Sequence, residues 1–286
     1  MAIVLDNITY TYGMGTPFEK TALHGISLTI ENGEFLGVIG HTGSGKSTFV
    51  QHLNGLLHPT TGTVTVNGVD ISASTEEAKK MRHKVGMVFQ YPEHQLFEET
   101  IAEDIAFGPK NLGLSADEVD ERVRDAMKFV GLDYNTYAER SPFHLSGGQM
   151  RRVAIAGVVA MNPDFLVLDE PSAGLDPFGR EEIFEEIIRL HKEKGITVIL
   201  VSHNMEDISR MASRLVVLDK GRIVLDGEPM DIFNNHRDAL QAVGVDVPPV
   251  SVTMEYLREQ GIDVSNRVLS VDDAVQAILE GGSHVK

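Results

Sequence analysis

A glycine-rich stretch that ends in lysine and serine occupies residues 40–47, with the sequence GHTGSGKS. This spacing fits the pattern G-x-x-x-x-G-K-[ST], which describes a loop whose successive backbone N–H groups wrap a phosphate. In such a loop the glycines permit close approach of the backbone, Lys46 reaches the β- and γ-phosphates, and the Ser47 hydroxyl binds Mg²⁺. An ordinary glycine-rich turn is the competing interpretation, and the strand predicted before the loop and the helix predicted after it favour the phosphate site.

A second candidate phosphate-binding segment lies further along the chain, at residues 145–149, with the sequence LSGGQ. Its two glycines stand at the predicted start of a helix, where free backbone N–H groups and the helix dipole favour an anion. Ser146 and Gln149 have the spacing of a capping box, which supports a helix start at this point. The sequence therefore predicts two separate devices for holding phosphate on one chain.

Acidic residues and a histidine follow two apolar segments that have the character of buried strands. Residues 165–168 are followed by Asp169 and Glu170, and residues 197–202 are followed by His203. Taken alone, either group is as compatible with the edge of an ordinary core as with a reactive site. Beside a phosphate loop, Asp169 is suited to hold a metal ion, Glu170 to act as general base on a water molecule, and His203 to donate to a γ-phosphate.

The elements that must position these residues begin with strands near the N-terminus. Strand-like segments with an Asn67-Gly68 turn signal predict an antiparallel sheet. These segments are residues 3–11, 26–30 and 62–67. Residues 35–39 form an apolar run that leads into the glycine loop, and residues 47–57 have helical character. Strand, loop and helix thus follow in the order that the phosphate motif requires.

From Thr100 onward helical and strand-like segments alternate, which predicts a mainly parallel core sheet. Ser115 with Glu118 has capping-box spacing, Asp176 precedes a proline at a helix start, and Gly195 marks a helix end. The helical segments are residues 115–130, 146–161, 176–195, 236–243, 252–259 and 271–279. The strand-like segments are residues 165–168, 197–201, 215–219 and 222–225.

Composition limits the classes of function. The chain has 286 residues, 42% of them hydrophobic, and a formal net charge of −17. General binding to nucleic acid is therefore unfavourable, because nucleic acid is itself densely negative. With no cysteine, the chain has neither a disulfide nor a thiolate zinc site, and an intracellular location is expected. No apolar run approaches the roughly 18–20 residues that span a bilayer.

The motifs, in this order, resemble those of an ATP-binding cassette (ABC) ATPase over about residues 3–230. Residues 40–47 resemble the Walker A loop of that family, and residues 145–149 resemble its signature sequence. Residues 165–170 resemble its Walker B strand. The resemblance implies that the two predicted phosphate-binding segments belong to one ATPase mechanism.

The remaining correspondences lie between and around these motifs. Gln90 resembles the Q-loop glutamine of the family, residues 172–176 its D-loop, and His203 its switch histidine. Tyr12, rather than Tyr10, stands where the family stacks an aromatic ring on adenine, and stacking needs only a π-face.

The resemblance implies ATP and Mg²⁺ as cofactors and assigns a role to each matched residue. The residues implied to bind the chain's own nucleotide are Tyr12, Gly40, Thr42, Gly43, Ser44, Gly45, Lys46, Ser47, Thr48 and Gln90. Those implied to act in catalysis are Glu170, His203 and Lys46, and those implied to hold the metal are Ser47, Gln90 and Asp169. The signature residues Leu145, Ser146, Gly147, Gly148 and Gln149 are implied to contact the nucleotide of a second cassette. The D-loop consists of Ser172, Ala173, Gly174, Leu175 and Asp176.

The implied fold is an α/β, RecA-like P-loop NTPase core with an antiparallel β subdomain and an α-helical signature subdomain at about residues 93–162. The ABC ATPase domain would cover residues 1–230, and a small, mostly helical extension would cover residues 231–286. In the family two cassettes close head-to-tail, so that each ATP lies between the Walker A loop of one and the signature helix of the other. The extension is expected to contribute to this contact.

Within the family, residues 91–111 after the Q-loop and an insertion at residues 15–19 are similar to energy-coupling factor (ECF) transporters. The chain looks like the second of their two ATPase subunits, often called A-prime. In those transporters two different cassettes lie beneath a transmembrane coupling subunit, at the cytoplasmic face of the membrane, and a separate small membrane protein captures a vitamin or metal ion. Leu96 and Phe97 are then either the floor of the groove for the membrane subunit or core residues.

Two alternatives remain open. The residues also allow the ATPase of another ABC importer, such as one that feeds a dedicated cobalt or nickel permease. A soluble ABC ATPase that acts on nucleic acid or ribosomes is disfavoured, because the chain has one set of motifs, no cysteine and a strongly negative charge.

Overall fold

The strands of the protein form two sheets, and our computed structural model describes residues 1–265 and 267–281. In chain order the strands are β1 (Ala2–Tyr12), β2 (Lys20–Glu31), β3 (Phe35–Ile39), β4 (Thr61–Val66), β5 (Val69–Asp70), β6 (Val85–Val88), β7 (Phe165–Asp169), β8 (Thr197–Val201), β9 (Arg214–Asp219) and β10 (Arg222–Gly227). Within the described residues, the larger sheet has the order β10-β9-β3-β8-β7-β6 and the smaller sheet has the order β2-β1-β4-β5.

Helices cover the larger sheet and make up most of the C-terminal part. In the same ranges they are α1 (Lys46–Leu53), α2 (Glu76–Arg82), α3 (Ile101–Asn111), α4 (Ala116–Phe129), α5 (Tyr134–Tyr137), α6 (Gly147–Val159), α7 (Pro177–Lys194), α8 (Met205–Met211), α9 (Pro229–Asn235), α10 (Arg237–Ala242), α11 (Pro249–Glu259) and α12 (Val271–Gly281). Short 3₁₀ turns occupy Pro92–Gln95 and Pro142–His144.

The larger sheet is parallel except for its edge strand β10, which pairs antiparallel with β9. Every residue of β3, β7 and β8 is buried. These strands read as continuous apolar runs because both faces of the sheet are covered. Since neighbouring parallel strands end at one edge, the residues that follow β3, β7 and β8 come together there.

The smaller sheet is antiparallel and packs on one face of the larger sheet, with α1 contributing to the core between them. Ile3 and Leu5 of β1 are buried in this core, whereas Val4 between them points outward. The opposite face of the larger sheet packs against α3, α4, α6 and α7 in a second core. This arrangement confirms the predicted α/β core, the antiparallel β subdomain and the helical subdomain.

Short sequence patterns predicted the first residues of several helices correctly. Ser115 and Ser146 each accept a hydrogen bond from the backbone N–H three residues later, and the Glu118 and Gln149 side chains accept from the backbone N–H of the serine in return. Both predicted capping boxes are therefore formed. Asp176 caps α7, which begins at a proline and ends at Gly195 in the left-handed conformation.

Other boundaries differ from the prediction. Helix α1 ends at Leu53 rather than Leu57, because Gly55 adopts a left-handed φ of 74° and turns the chain. Strand β2 begins at Lys20, before the predicted residue 26, and the sequence pattern did not predict α2 or β6. The interpretation of Leu96 as groove floor is wrong, since this side chain is only 7% exposed and belongs to the main core, whereas Phe97 is 57% exposed.

The C-terminal residues pack in two ways. Phe233 of α9, Leu240 of α10 and the following Val245 join the main core. Helices α11 and α12 pack on each other around a separate small cluster that includes Met254 and Ala274. Among the described residues, no helix is both long enough and apolar enough to cross a membrane.

Candidate functional site

The glycine loop opens into a cleft of about 1160 Å³ at the carboxyl edge of the larger sheet, which we call the phosphate-loop cleft. It lies between the loop after β3, the ends of β7 and β8, the end of β1 and the turn between β9 and β10. The predicted residues that line it are Tyr12, Gly40, Thr42, Gly43, Gly45, Lys46, Ser47, Thr48, Gln90, Asp169, Glu170 and His203. The structure thus brings predicted residues from five separate parts of the sequence to one concave surface.

The loop itself is held in an unusual backbone conformation. Gly40, Gly43 and Gly45 have φ values of 152°, 84° and 107°, which side-chain-bearing residues rarely adopt. A Cβ on Gly40 would also collide with the carbonyl oxygen of Leu218 and stand 2.6 Å from Ser44 Oγ. Ser44 is fully buried, and its hydroxyl oxygen has no hydrogen-bond partner. An orphaned buried hydroxyl in such a loop is suited to a phosphate oxygen.

Lys46 is the first residue of α1, and its ammonium group turns back over the loop. Its Nζ donates to the carbonyl oxygen of Gly40 at 2.6 Å and to that of His41 at 3.1 Å. Burial lowers the pKa of Lys46 from its ordinary value, and the nearby carboxylates of Glu170 and Asp169 act in the opposite direction. The loop therefore combines a positive charge, a helix N-terminus and backbone N–H groups, which is the chemistry of an anion site.

Asp169 and Ser47 form an oxygen-rich pair in the lining of the cleft. Asp169 ends β7 and is buried, so that desolvation raises the pKa of its carboxyl group. A hydrogen bond from the Ser47 side chain acts in the opposite direction. A carboxylate and a hydroxyl are the ligand types that Mg²⁺ prefers, and Gln90 supplies a further amide oxygen to the same lining. The donor set fits a magnesium ion that also contacts phosphate.

Glu170 and His203 form a direct pair at the mouth of the cleft. His203 Nδ1 lies 2.8 Å from Glu170 Oε2. The Glu170 side chain is 13% exposed and that of His203 is 76% exposed, so the histidine forms the outer half of the pair. Glu170 has a left-handed φ of 52°, and its backbone N–H donates to the carbonyl oxygen of Val201 on β8. A strained backbone at this position aims the carboxylate and is typical of functional sites.

Tyr12 and Tyr10 have different environments. Tyr12 is 42% exposed and lines the cleft, and its hydroxyl oxygen lies 3.1 Å from Thr48 Oγ1. Tyr10 packs edge-to-face against Tyr12 and against the buried His52, and it contacts the core between the two sheets. Of the two rings, the geometry favours Tyr12 as a surface on which a base can stack.

The signature residues 145–149 lie outside the phosphate-loop cleft. None of residues 145–149 lines the phosphate-loop cleft of the described chain. Ser146 and Gly147 are exposed, and a Cβ added to Gly147 or Gly148 would meet nothing within 4 Å. The capping box fixes the start of α6, and the first N–H groups of this helix belong to a segment outside the cleft that holds the other predicted residues.

The D-loop follows Glu170 directly and forms a tight turn into α7. Its Leu175 backbone N–H donates to Ser172, Gly174 has a φ of 77°, and the Asp176 carboxylate accepts from the backbone N–H of Gly179 at 2.7 Å. Ala173 donates its backbone N–H to the Glu170 carbonyl oxygen, so the turn is attached to the acidic end of β7.

Sequence reasoning missed several parts of the cleft, of which His41 and the segment after α10 are two. His41, at a variable position of the loop motif, has Nε2 2.9 Å from Asp219 Oδ1 and Nδ1 2.7 Å from the Thr42 carbonyl oxygen. Gly244, Val245 and Asp246, from the segment between α10 and α11, also line the cleft. Neither group carries a local signal, because the partners are separated by most of the chain.

Comparison with known proteins agrees with the class that this fold and cleft define. A sequence model described as ABC transporter matches residues 23–173. The chain is 53% identical over 280 residues to the energy-coupling factor transporter ATP-binding protein EcfA2 of Clostridium tetani, which covers 98% of this chain and 97% of that one. It is 54% identical over 279 residues to EcfA2 of Clostridium acetobutylicum, with 98% and 97% covered.

Solved structures give the same result. CbiO1 from Clostridium perfringens, described as part of the ABC transporter complex cbiONQ, has a TM-score of 0.74 and 36% identity, covering 88% of this chain and 98% of that one. The cassette MJ0796, solved as a dimer bound to ADP and Pi, has a TM-score of 0.70 and 32% identity, with 79% and 98% covered. The chain belongs to the ABC transporter family of ATPase cassettes. Among its relatives it is similar to the EcfA2 proteins over almost its whole length, which confirms the resemblance inferred from the motifs.

Proposed function

We propose that this protein is the ATP-hydrolysing subunit of an ECF-type ABC transporter and powers uptake of a vitamin or another micronutrient through separate membrane subunits. The observation that carries the proposal is the separation of its two phosphate-binding segments. One cleft of the chain holds the loop, the acids and the histidine, while the signature turn is exposed and outside that cleft. A second cassette that supplies its own signature turn would complete the site.

In the chain's own cleft, ATP would bind with its phosphates in the loop and its adenine on Tyr12. The Lys46 ammonium, the Ser44 hydroxyl and the backbone N–H groups at the start of α1 would hold the phosphates. Ser47, Asp169 and Gln90 would hold Mg²⁺, which neutralises phosphate charge when it is bound.

Glu170 and His203 would divide the work of hydrolysis between them. A carboxylate that is mostly buried and aimed by a strained backbone is suited to accept a proton from the attacking water. The Oε2 atom of the same carboxylate lies beside His203 Nδ1, which would donate its N–H to it. With both ring nitrogens protonated, the Nε2 N–H would donate toward the γ-phosphate. Lys46 would stabilise the charge that develops on the leaving phosphates.

The second cassette would contribute its signature turn in the same way as this chain contributes its own. The backbone N–H groups of Gly147 and Gly148, with the Ser146 hydroxyl, would face the γ-phosphate of the nucleotide held by the partner. We expect the partner to be a different, paralogous cassette. The exposed apolar side chains of α11 and α12, such as Tyr256 and Val275, are suited to contact it.

The membrane subunit would dock beside the Q-loop, from the cytoplasmic face of the membrane. Phe97 and Phe107 are both exposed and form an edge-to-face pair with ring centroids 4.9 Å apart. An exposed aromatic pair of this kind is typical of an interaction site. A separate substrate-capture subunit would recognise the transported molecule. A second candidate is an ATPase of another ABC importer, such as one for cobalt or nickel, and the likeness to CbiO1, described as part of an ABC transporter complex, is compatible with it.

The test is hydrolysis in the assembled complex. Glu170→Gln is expected to slow ATP turnover by about 10²–10⁴-fold, because the general base is lost, while ATP affinity is retained. Glu193→Gln, on the exposed end of α7, is the control and should leave turnover unchanged. Unchanged turnover in Glu170→Gln would contradict the assignment of the base.

The membrane subunits that co-purify with the chain decide between the two importers. Phe97→Glu together with Phe107→Glu is expected to release these subunits without changing ATP affinity. Intact co-purification of the double variant would contradict the proposed docking surface.

A further inference from the structure

A buried arginine on the signature helix joins three segments of the molecule. Arg151 lies in α6, three residues after Gly148, and its side chain is only 2% exposed. Its Nε and Nη2 donate to the two carboxylate oxygens of Glu93 at 3.1 and 3.0 Å. Its Nη1 donates to the carbonyl oxygens of Pro171 at 2.9 Å and Ala173 at 2.8 Å.

The three segments are those on which the proposed mechanism depends. Glu93 belongs to the 3₁₀ turn that follows Gln90 and leads to Phe97. Pro171 links Glu170 to the D-loop and Ala173 lies within it, and α6 carries the signature turn at its N-terminus. One guanidinium group therefore contacts the Q-loop, the D-loop and the signature helix at once.

A second contact supports the same junction. The Tyr91 side chain approaches the D-loop, with its Cε1 atom 3.7 Å from the place where a Cβ on Gly174 would stand. Tyr91 and Gly174 both have left-handed φ values, 58° and 77°. The Q-loop and D-loop thus meet through Tyr91, whose φ is strained, and Gly174, which adopts its φ without strain.

The chemistry of the junction requires arginine. The planar guanidinium matches the two oxygens of a carboxylate and keeps further N–H groups in fixed directions for the two carbonyl oxygens. A lysine ammonium at the same place has one nitrogen, so it cannot reach all four acceptors from one position. Removing either partner leaves the other charge buried and unpaired.

We propose that Arg151 and Glu93 form a positioning pair that holds the Q-loop, the D-loop and the signature helix together. The inference rests on the proposed transport function. When the membrane subunit displaces the Q-loop, the pair transmits the displacement to the signature turn that serves the partner's nucleotide. It also transmits the displacement to the D-loop beside Glu170. Arg151 and Glu93 do not touch the phosphate-loop cleft, so the pair acts through other residues rather than on ATP.

The test uses the complete transporter, reconstituted with its membrane subunits, and measures the number of substrate molecules moved per ATP hydrolysed. Arg151→Lys and Glu93→Gln are each expected to lower this ratio by roughly tenfold. ATP affinity of the isolated chain should be unchanged. The double variant should be no worse than the more affected single variant, because both changes remove one interaction.

Arg124→Lys is the control, since Arg124 forms an exposed ion pair with Asp120 within α4 of the same helical subdomain. It should leave the ratio unchanged. A purely structural role for the pair would lower the amount of folded complex and leave the ratio of transport to hydrolysis intact. That result for Glu93→Gln, the milder change, would overturn the proposal. If the unaltered complex hydrolyses ATP without transport, the proposed function fails instead, and the two failures are thereby distinguished.

Discussion

The two predicted phosphate-binding segments offer the same chemistry, backbone N–H groups at a helix start, by opposite structural means. The Walker A loop places glycines at φ values that other residues avoid and wedges Gly40 against β9. The signature turn uses the regular start of a helix, and its glycines have open space around them. The first segment is fixed by the rest of its own chain, whereas the second is exposed.

The difference follows from what each segment must fit. The Walker A loop is tied to the chain at several points, for example by the hydrogen bond from the Gly221 backbone N–H to the Ser44 carbonyl oxygen at 2.8 Å. A preorganised site of this kind avoids rearrangement when phosphate binds. The signature turn is held by its capping box, by the packing of Leu145 on the main core and by the hydrogen bond from Gln149 to the Tyr137 hydroxyl, while Ser146 and Gly147 remain exposed to a second molecule.

The largest expected contrast comes from the same substitution made in each segment. Gly40→Ala should lower the free energy of unfolding by more than about 2 kcal/mol, because the new methyl group collides with backbone and the φ is strained. Gly147→Ala should change it by less than about 1 kcal/mol, since alanine is the better helix residue. Denaturant unfolding and ATP titration of the isolated chain measure both effects.

The rate of ATP hydrolysis by the assembled cassettes separates the roles of the two segments further. ATP affinity of the isolated chain should be lost in Gly40→Ala and kept in Gly147→Ala. The complex with Gly147→Ala should nevertheless hydrolyse ATP about tenfold or more slowly, because a methyl group obstructs the approach of a phosphate to the helix N-terminus. Full activity of that complex would show that the signature turn does not contact nucleotide.

A smaller effect distinguishes capping from phosphate binding at the signature turn. Ser146→Ala and Ser115→Ala each remove the serine of a capping box and should each lower the free energy of unfolding by about 1 kcal/mol. Only Ser146→Ala should also slow hydrolysis in the complex. Equal slowing by the two variants would mean that stability alone explains the loss.

The sequence predicted those features that are encoded within a few neighbouring residues. The glycine loop, both capping boxes and the proline start of α7 depend on short spacings, so their positions were readable. Strand β6 was not predicted, because it has only four residues and contains Gly86. A Cβ on that glycine would stand 2.7 Å from a methyl group of Val158 on α6. The reason for the glycine is a packing contact far away in the sequence.

The residues of the candidate site also fall into two groups, those predicted from local motifs and those that only the tertiary structure brings together. The loop, the acids and the histidine were found from motifs, and the parallel sheet brings them to one edge. The pairing of His41 with Asp219 and the approach of Asp246 to the cleft depend on tertiary structure alone. The Arg151–Glu93 pair belongs to this second group, because its members are 58 residues apart. Polar contacts between residues far apart in the sequence cannot be predicted from short sequence patterns.

The smallest expected effect is the change in the free energy of unfolding that results from burying the Asp169 carboxylate in the cleft. Burial raises the pKa of Asp169 in the folded chain above its ordinary value of 3.8. The charged carboxylate is therefore disfavoured by folding, and the unaltered chain loses stability as the pH rises through the folded pKa. The variant Asp169→Asn does not lose stability in this way, because an amide does not ionise. Its free energy of unfolding should exceed that of the unaltered chain near pH 8, and the difference should shrink as the pH falls toward 4.

Urea unfolding at several pH values, with a chelator and without nucleotide, measures this difference. Asp125→Asn, on the exposed face of α4, is the control and should give no such pH dependence. With Mg²⁺ and ATP the order should reverse, because the charged carboxylate at position 169 is a stronger ligand than an amide in the proposed metal site, and ligand binding adds to the stability of the folded state. A stability difference that stayed constant across this pH range would contradict the burial argument. If Mg²⁺ and ATP did not stabilise the unaltered chain more than the variant, Asp169 would not be a ligand of the metal. The contrast between a preformed cleft and an exposed signature turn would then be weaker.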